Sequence, residues 1–196
     1  MAMRRATNAV AQVDAFVNAP GKLGAATLGI RSDADRQRAE EAEQEVLAMR
    51  DWIDLDGYSD SEAARLGNAH NCHERAVLVR DELRHAGFAA LILSHGLNEE
   101  HTTVVFDVGE GGLAAENLPS DMTKWHPDLH VADQLFGIPP TSAPKYPKAL
   151  ADDMERRTRN NEWVKVEGVE MSPNDPRFID AVIRGPKSAT EDGLLG

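Results

Sequence analysis

The chain has 196 residues, 41% of them hydrophobic, which is enough for one domain with a core of its own. Its 33 acidic residues outnumber 21 basic ones, and the resulting formal charge of −12 disfavours phosphate backbones and anionic membrane surfaces as partners, so nucleic acid is not expected. One cysteine rules out an internal disulfide, no Cys and His pairs repeat at structural-zinc spacing, and no apolar run reaches the length of a membrane span.

Residues 1–32 alternate small, polar and glycine-bearing stretches such as "NAPGKLGAATLGIRSD" and read as a flexible N-terminal segment, a weak helix followed by loose chain outside the core. Arg4 and Arg5 precede no apolar h-region, so no cleaved Sec signal is read there. Ser32 and Asp33 can cap a helix through "ADRQRAEEAEQEVLAMRDWI", whose apolar residues Val46, Leu47, Met49, Trp52 and Ile53 come late on a charged surface. The stretch "DLDGYSDSEAARLGNAHN" then gives a turn, a short helix capped by Ser59 or Asp60, and a loop opened by Gly67.

From Cys72 onward Ala76, Val77, Val79, Leu83 and Ala86 recur at helical spacing as far as Gly87. "FAALILSHG" follows as a short buried strand and "HTTVVFDV" as a second, with "GEGG" turning the chain. A proline-rich stretch contains the strand-like "LHVADQLF"; "KALADDMERRTRNNEW" is a helix and "VKVEGVE" a strand. These elements form one domain over 33–185, with an N-terminal helical part, in an α+β arrangement, and residues 186–196 read as a mobile tail.

The chemistry gathers around "NAHNCHERA". A thiol is a good nucleophile as thiolate, and a helix start favours that anion because its unpaired N–H groups point at it. The same amides can hold the oxyanion formed when a carbonyl is attacked, which makes Cys72 the candidate nucleophile. A cysteine nucleophile needs a base and a third group that fixes the base. His101 opens the second strand behind the polar loop "GLNEE" and is read as the base, at the rim of a cleft. Asp133 in "LHVADQLF" is the orienter, with Asn117 in "AENLP" as its rival.

Asn71 reads as the helix cap, or as an amide donor to the oxyanion, and Glu74 suits the dipole of the first turn. His70 is placed in the loop near the oxyanion region and His73 at the surface. One H-x-C-H cluster without a distant second pair does not make a metal site, so neither metal nor cofactor is expected. Trp125 and Tyr146 read as core or cleft-wall aromatics.

The stretch "GNAHNCHERAVLVRDELRHAGFAALILSHG" with "EEHTTVVFDV" resembles the core of bacterial papain-fold cysteine toxins and effectors. In that family "GNCxExA" opens the nucleophile helix, a "DHAFVVI" strand carries the base, and a third strand "W...AVVCDPW" precedes a tyrosine and a helix. Here "WHPDLHVADQLFGIPPTSAPKYPKAL" keeps Trp125, Asp133 and Tyr146, while Gln134 stands where proline is usual.

The resemblance covers roughly residues 67–150 and implies a papain-like or transglutaminase-like core, a nucleophile helix packed on a small antiparallel sheet. It implies Cys72 as nucleophile, His101 as base, Asp133 as orienter, and Glu74 as a brace for the loop. In the wider superfamily the third residue follows the histidine more closely, which keeps Asn117 in view. The activity implied is that of a cysteine-dependent amide hydrolase or acyl-transfer enzyme, an effector or toxin that deamidates glutamine in a host protein. Such a protein is made in the bacterial cytoplasm, translocated without a cleaved Sec signal, and partnered by a secretion chaperone or immunity protein. Two other readings stay open: a papain-like protease making one specific cut, and an inert binding module on the same fold. An acidic surface favours a basic face on the target.

Overall fold

Strands β2 (Ala90–His95) and β3 (His101–Asp107) are buried along their whole length, and their two-residue period divides the side chains between two cores. A computed structural model describes residues 1–196 other than 26, 27, 97–100, 110, 111, 115–117, 120, 167, 168, 180, 181, 183, 184, 186 and 191–196. Before β2 come α1 (Ala2–Val17), β1 (Leu28–Ile30), α2 (Asp33–Asp56), α3 (Asp60–Leu66) and α4 (Cys72–His85). After β3 come β4 (Leu129–Asp133), β5 (Ile138–Ser142), α5 (Tyr146–Arg159), β6 (Trp163–Val166), β7 (Val169–Met171), α6 (Pro176–Ile179) and β8 (Lys187–Thr190). The fold is mixed α+β, and its sheets are antiparallel.

The larger sheet has the order β5-β4-β3-β2-β8 and the smaller β1-β6-β7. On one face of the larger sheet Ala90, Ile92, Val104, Phe106 and Ala132 join Ala76, Val77, Val79 and Leu83 of α4. On the other face Leu91, Leu93, Val105 and Val131 meet Tyr146, Leu150 and Met154 of α5, together with Val164 and Met171 of the smaller sheet. A sheet covered on both sides needs no polar alternation, which is why "ALIL" in β2 is a continuous apolar run.

The N-terminal segment is not the flexible chain that its composition suggests. Ala6, Ala9, Val10, Val13 and Val17 form a narrow buried stripe on α1, packed on α4. Small side chains let two helices approach closely, so this stripe works without the large apolar residues that usually mark one. The chain after α1 is tied down as well: Leu23 N–H donates to Asn68 O and His70 N–H to Gly24 O, which fastens it along the loop before Cys72.

The expected mobile tail is also corrected in part, because Lys187–Thr190 forms β8, paired antiparallel with β2 from Ile92↔Thr190 to His95↔Lys187. Strand β5, "IPPTS", was hidden by its prolines; it lies at the sheet edge, where a missing N–H costs no ladder bond. Its pairing with β4 shifts register between Val131 and Asp133, and a bulge of this kind is a common way to re-aim a side chain at a site.

Candidate active site

Helix α4 begins at Cys72, which is half-buried. Its first intrahelical bond runs from Arg75 N–H to Asn71 O, so the N–H groups of Cys72 and His73 have no acceptor within the helix. The turn is held by Glu74, a buried carboxylate. Its Oε2 accepts from Asn71 N–H at 3.0 Å, and its Oε1 accepts from Arg50 Nε and Nη2 of α2 at 3.1 and 2.9 Å. Asn71 is the N-cap residue.

Two further side chains fix the loop in front of the cysteine. His70 is fully buried, with Nε2 2.7 Å from Ala64 O and its ring edge against Phe16 of α1. Arg75 donates from Nε to His70 O at 2.9 Å and from Nη1 to Gln134 O at 3.3 Å. It thereby ties the loop before Cys72 to the turn after Asp133. His73, expected at the surface, is instead buried, with Nε2 3.0 Å from Asp60 Oδ2 at the start of α3. The short helix α3 packs on α4 and brings that carboxylate over it. His73 holds Asp60 below the ordinary carboxylate range by this hydrogen bond, against the effect of burial.

Cys72, His101 and Asp133 come together. His101 Nε2 lies 2.8 Å from Asp133 Oδ2, and the Cys72 side chain is within hydrogen-bonding reach of the imidazole. With Nε2 committed to Asp133, Nδ1 is the ring nitrogen left for the thiol. The expectation of His101 at a cleft rim is corrected, since it is 1% exposed and roofed by the Phe136 ring at 4.9 Å between centroids. Cys72 is thus the more accessible end of a chain whose other members are buried.

Asp133 is also buried and has its lone pairs filled. Oδ2 accepts from Tyr146 O–H at 2.7 Å as well as facing His101, and Oδ1 accepts from Phe136 N–H at 3.2 Å. Desolvation of such a carboxylate is costly unless donors and a cation surround it, and here they do. Burial pushes its pKa up, but the His101 charge and hydrogen bond, then the Tyr146 and Phe136 donors, bring it below its ordinary value. For His101 burial works against the imidazolium, yet Asp133 and then Cys72 outweigh it and raise the group to about 10. Burial, then Asp133, pushes the Tyr146 hydroxyl well above its ordinary value, so it stays a donor.

Beside His101, in register on β2, sits His95, whose ring centroid is 5.5 Å away. Its Nε2 is 2.9 Å from Thr103 Oγ1. Burial, reinforced by the His101 charge, depresses it well below the usual range, so it remains neutral. Two adjacent buried histidines therefore hold opposite protonation states, one paired with a carboxylate and one with a hydroxyl.

The sequence-selected residues Asn71, Cys72, Glu74, His101 and Asp133 converge on one place, while Asn117 lies outside the described residues. Tyr146 was read as a core or cleft-wall aromatic, and the structure buries it and gives it a hydrogen bond to the Asp133 carboxylate. Arg75 and His95 carried no signal in the sequence, because bridging to a carbonyl and stacking across strands leave no spacing to read. Among the described residues no group of three His, Cys, Asp or Glu is placed to hold a metal ion. Comparison of the chain with protein-family models, curated proteins and solved structures gives no match.

Proposed function

We propose that the chain is a cysteine-dependent amide hydrolase on a papain-like, transglutaminase-like core, and that its reaction is the deamidation of glutamine in a protein substrate. The observation that carries this reading is the buried relay: Cys72 at the start of α4, His101 beside it and held protonated, and Asp133 on the far nitrogen. The packing of α4 across β3 and β2, with Cys, His and Asp following in that order along the chain, supports the assignment of the core. The resemblance to bacterial effectors and toxins, carried by the residues around Cys72, His101 and Asp133, supports a host protein as the substrate.

With the proton on His101, the Cys72 thiolate bonds to the carboxamide carbon and the carbonyl electron pair moves onto oxygen. The N–H groups of Cys72 and His73, which have no acceptor within α4, are the donors available to that oxyanion. As the tetrahedral centre collapses, the C–N bond breaks and the nitrogen takes the His101 proton, leaving as ammonia from a thioester. Water then gives a proton to neutral His101 while its oxygen bonds to the acyl carbon. Breaking of the C–S bond returns the thiolate and releases the carboxylic acid. Asp133 keeps the ring oriented and stabilises the imidazolium in both halves.

The test is intact mass of candidate host proteins incubated with wild type and with Cys72→Ala. A gain of about one dalton per target, the difference between amide and acid, seen with wild type alone, is the expected result. Target fragments would keep the thioester chemistry and replace deamidation by peptide cleavage. No mass change across a lysate, together with a Cys72 that alkylates only after denaturation, would overturn the enzyme reading.

A further inference from the structure

A cleft of about 440 Å³ opens behind the candidate site and shares its walls. Phe136, whose ring covers His101, lines it, and so does Gln134, next to Asp133 in the chain. Arg75, one turn beyond Cys72 on α4, reaches it from inside. A volume of this order suits a side chain or a short peptide segment.

The lining has the opposite sign to the chain as a whole. Four arginines, Arg31, Arg75, Arg156 and Arg157, face two carboxylates, Asp14 and Glu162, in a protein of formal charge −12. Arg31 and Arg157 both pair with Glu162, and Arg156 and Arg157 both pair with Asp153, so three guanidinium groups share two carboxylates. Arg75 differs from these. It is 5% exposed and donates from Nε and Nη1 to two backbone carbonyls, which leaves Nη2 for whatever enters the cleft. Arg75 makes no ion pair among the described residues, and although the charge of Asp14 in the same lining acts on it, its buried guanidinium can hold an entering carboxylate because little water competes for it.

We propose that this cleft is a specificity subsite that takes an acidic side chain of the protein substrate, a Glu or Asp carboxylate near the attacked glutamine, with Arg75 at its base and Arg31 and Arg156 at its rim. The assignment rests on the hydrolase reading above. It reverses, locally, the preference for a basic target face that the overall charge suggests. The rim arginines are half-exposed, so long-range attraction from them is salt-sensitive, while the contact with Arg75 is shielded.

The experiment uses the full chain carrying Cys72→Ser and three acetylated peptides with one glutamine, flanked by Glu, by Ala or by Lys, with dissociation constants from calorimetry at low and high salt. The Glu peptide should bind at least about tenfold more tightly than the Ala peptide, and the advantage should shrink as salt rises. The double variant Arg31→Ala, Arg156→Ala should narrow the gap and lose its salt dependence, keeping only the preference that Arg75 supplies. Arg156→Ala alone, whose exposed guanidinium pairs with Asp153, should narrow the gap if the double variant folds poorly. Equal binding of the three peptides, or no binding of any at millimolar concentration, overturns the subsite. Mass spectrometry of the same peptides with wild type separates the two readings. Tight Glu binding without a mass gain leaves the subsite and removes the hydrolase; deamidation indifferent to flanking charge leaves the hydrolase and removes the subsite.

Discussion

Asp133 Oδ2 faces two donors, His101 Nε2 and Tyr146 O–H, and this small cluster ties the candidate site to stability. His101 is raised from 6.5 to about 10, so the folded chain keeps a proton that the unfolded chain releases earlier. Its contribution to stability is therefore complete below pH 6.5 and is lost as pH rises toward about 10. His95 has the opposite sign. Held neutral by burial and by the His101 charge, it costs stability once the unfolded histidine begins to protonate, below pH 6.5. Asp133, lowered from 3.8, adds stability above that pH and loses it as pH falls further. The two neighbouring histidines thus place a maximum near pH 6.5. Urea unfolding across this range should show the alkaline limb in wild type and a flatter one in His101→Gln. An equally steep limb in the variant would mean that His101 gives up its proton at the ordinary value.

At the scale of elements, α1 is where composition misleads and packing decides. Val13 is buried against α4, and Val13→Ala removes two methyl groups and leaves a gap, at a cost of about 2 kcal/mol. Urea unfolding of that variant should show this loss, whereas a free N-terminal segment would show none. Helix α4 was legible because its apolar spacing is regular and Gly87 ends it, with Cys72 fixing its start. The strand carrying His101 was legible from β-branched residues, and Asp133 from a strand between turns. Helix α1 was read as a weak helix, but its burial was not legible, since alanine and valine interrupted by Asn, Gln and Asp look the same in a solvated helix and in a close-packed one. The role of Tyr146 was hidden for another reason: its hydroxyl meets Asp133 only because β5 and the turn before α5 bring the chain back, and no local pattern encodes that return. Nor does the spacing of Arg50 and Glu74 announce the ion pair that braces the cysteine loop from α2.

For the whole molecule, the helix that carries Cys72 and the strand that carries His101 are held between segments far apart in the chain. Helix α1 covers α4 from one side, and β8 closes the sheet beside β2. Strand β8 is short and only partly buried, yet its pairing covers the edge of "ALILSH", which opens with an apolar run and holds no proline. An uncovered edge of that composition is a template for pairing with another chain. The same strand sets Lys187 opposite His95, where its charge adds to that of His101 in keeping His95 neutral. A chain ending at residue 186 should therefore fold less stably and self-associate through β2, seen as a concentration-dependent mass in light scattering. Its His95 should also lose the effect of Lys187, so that the acid limb of its stability profile becomes shallower than that of the full chain. A truncated chain that stays monomeric, with the stability and acid limb of the full one, would show that β2 and its histidine are held by β3 and the two cores without β8.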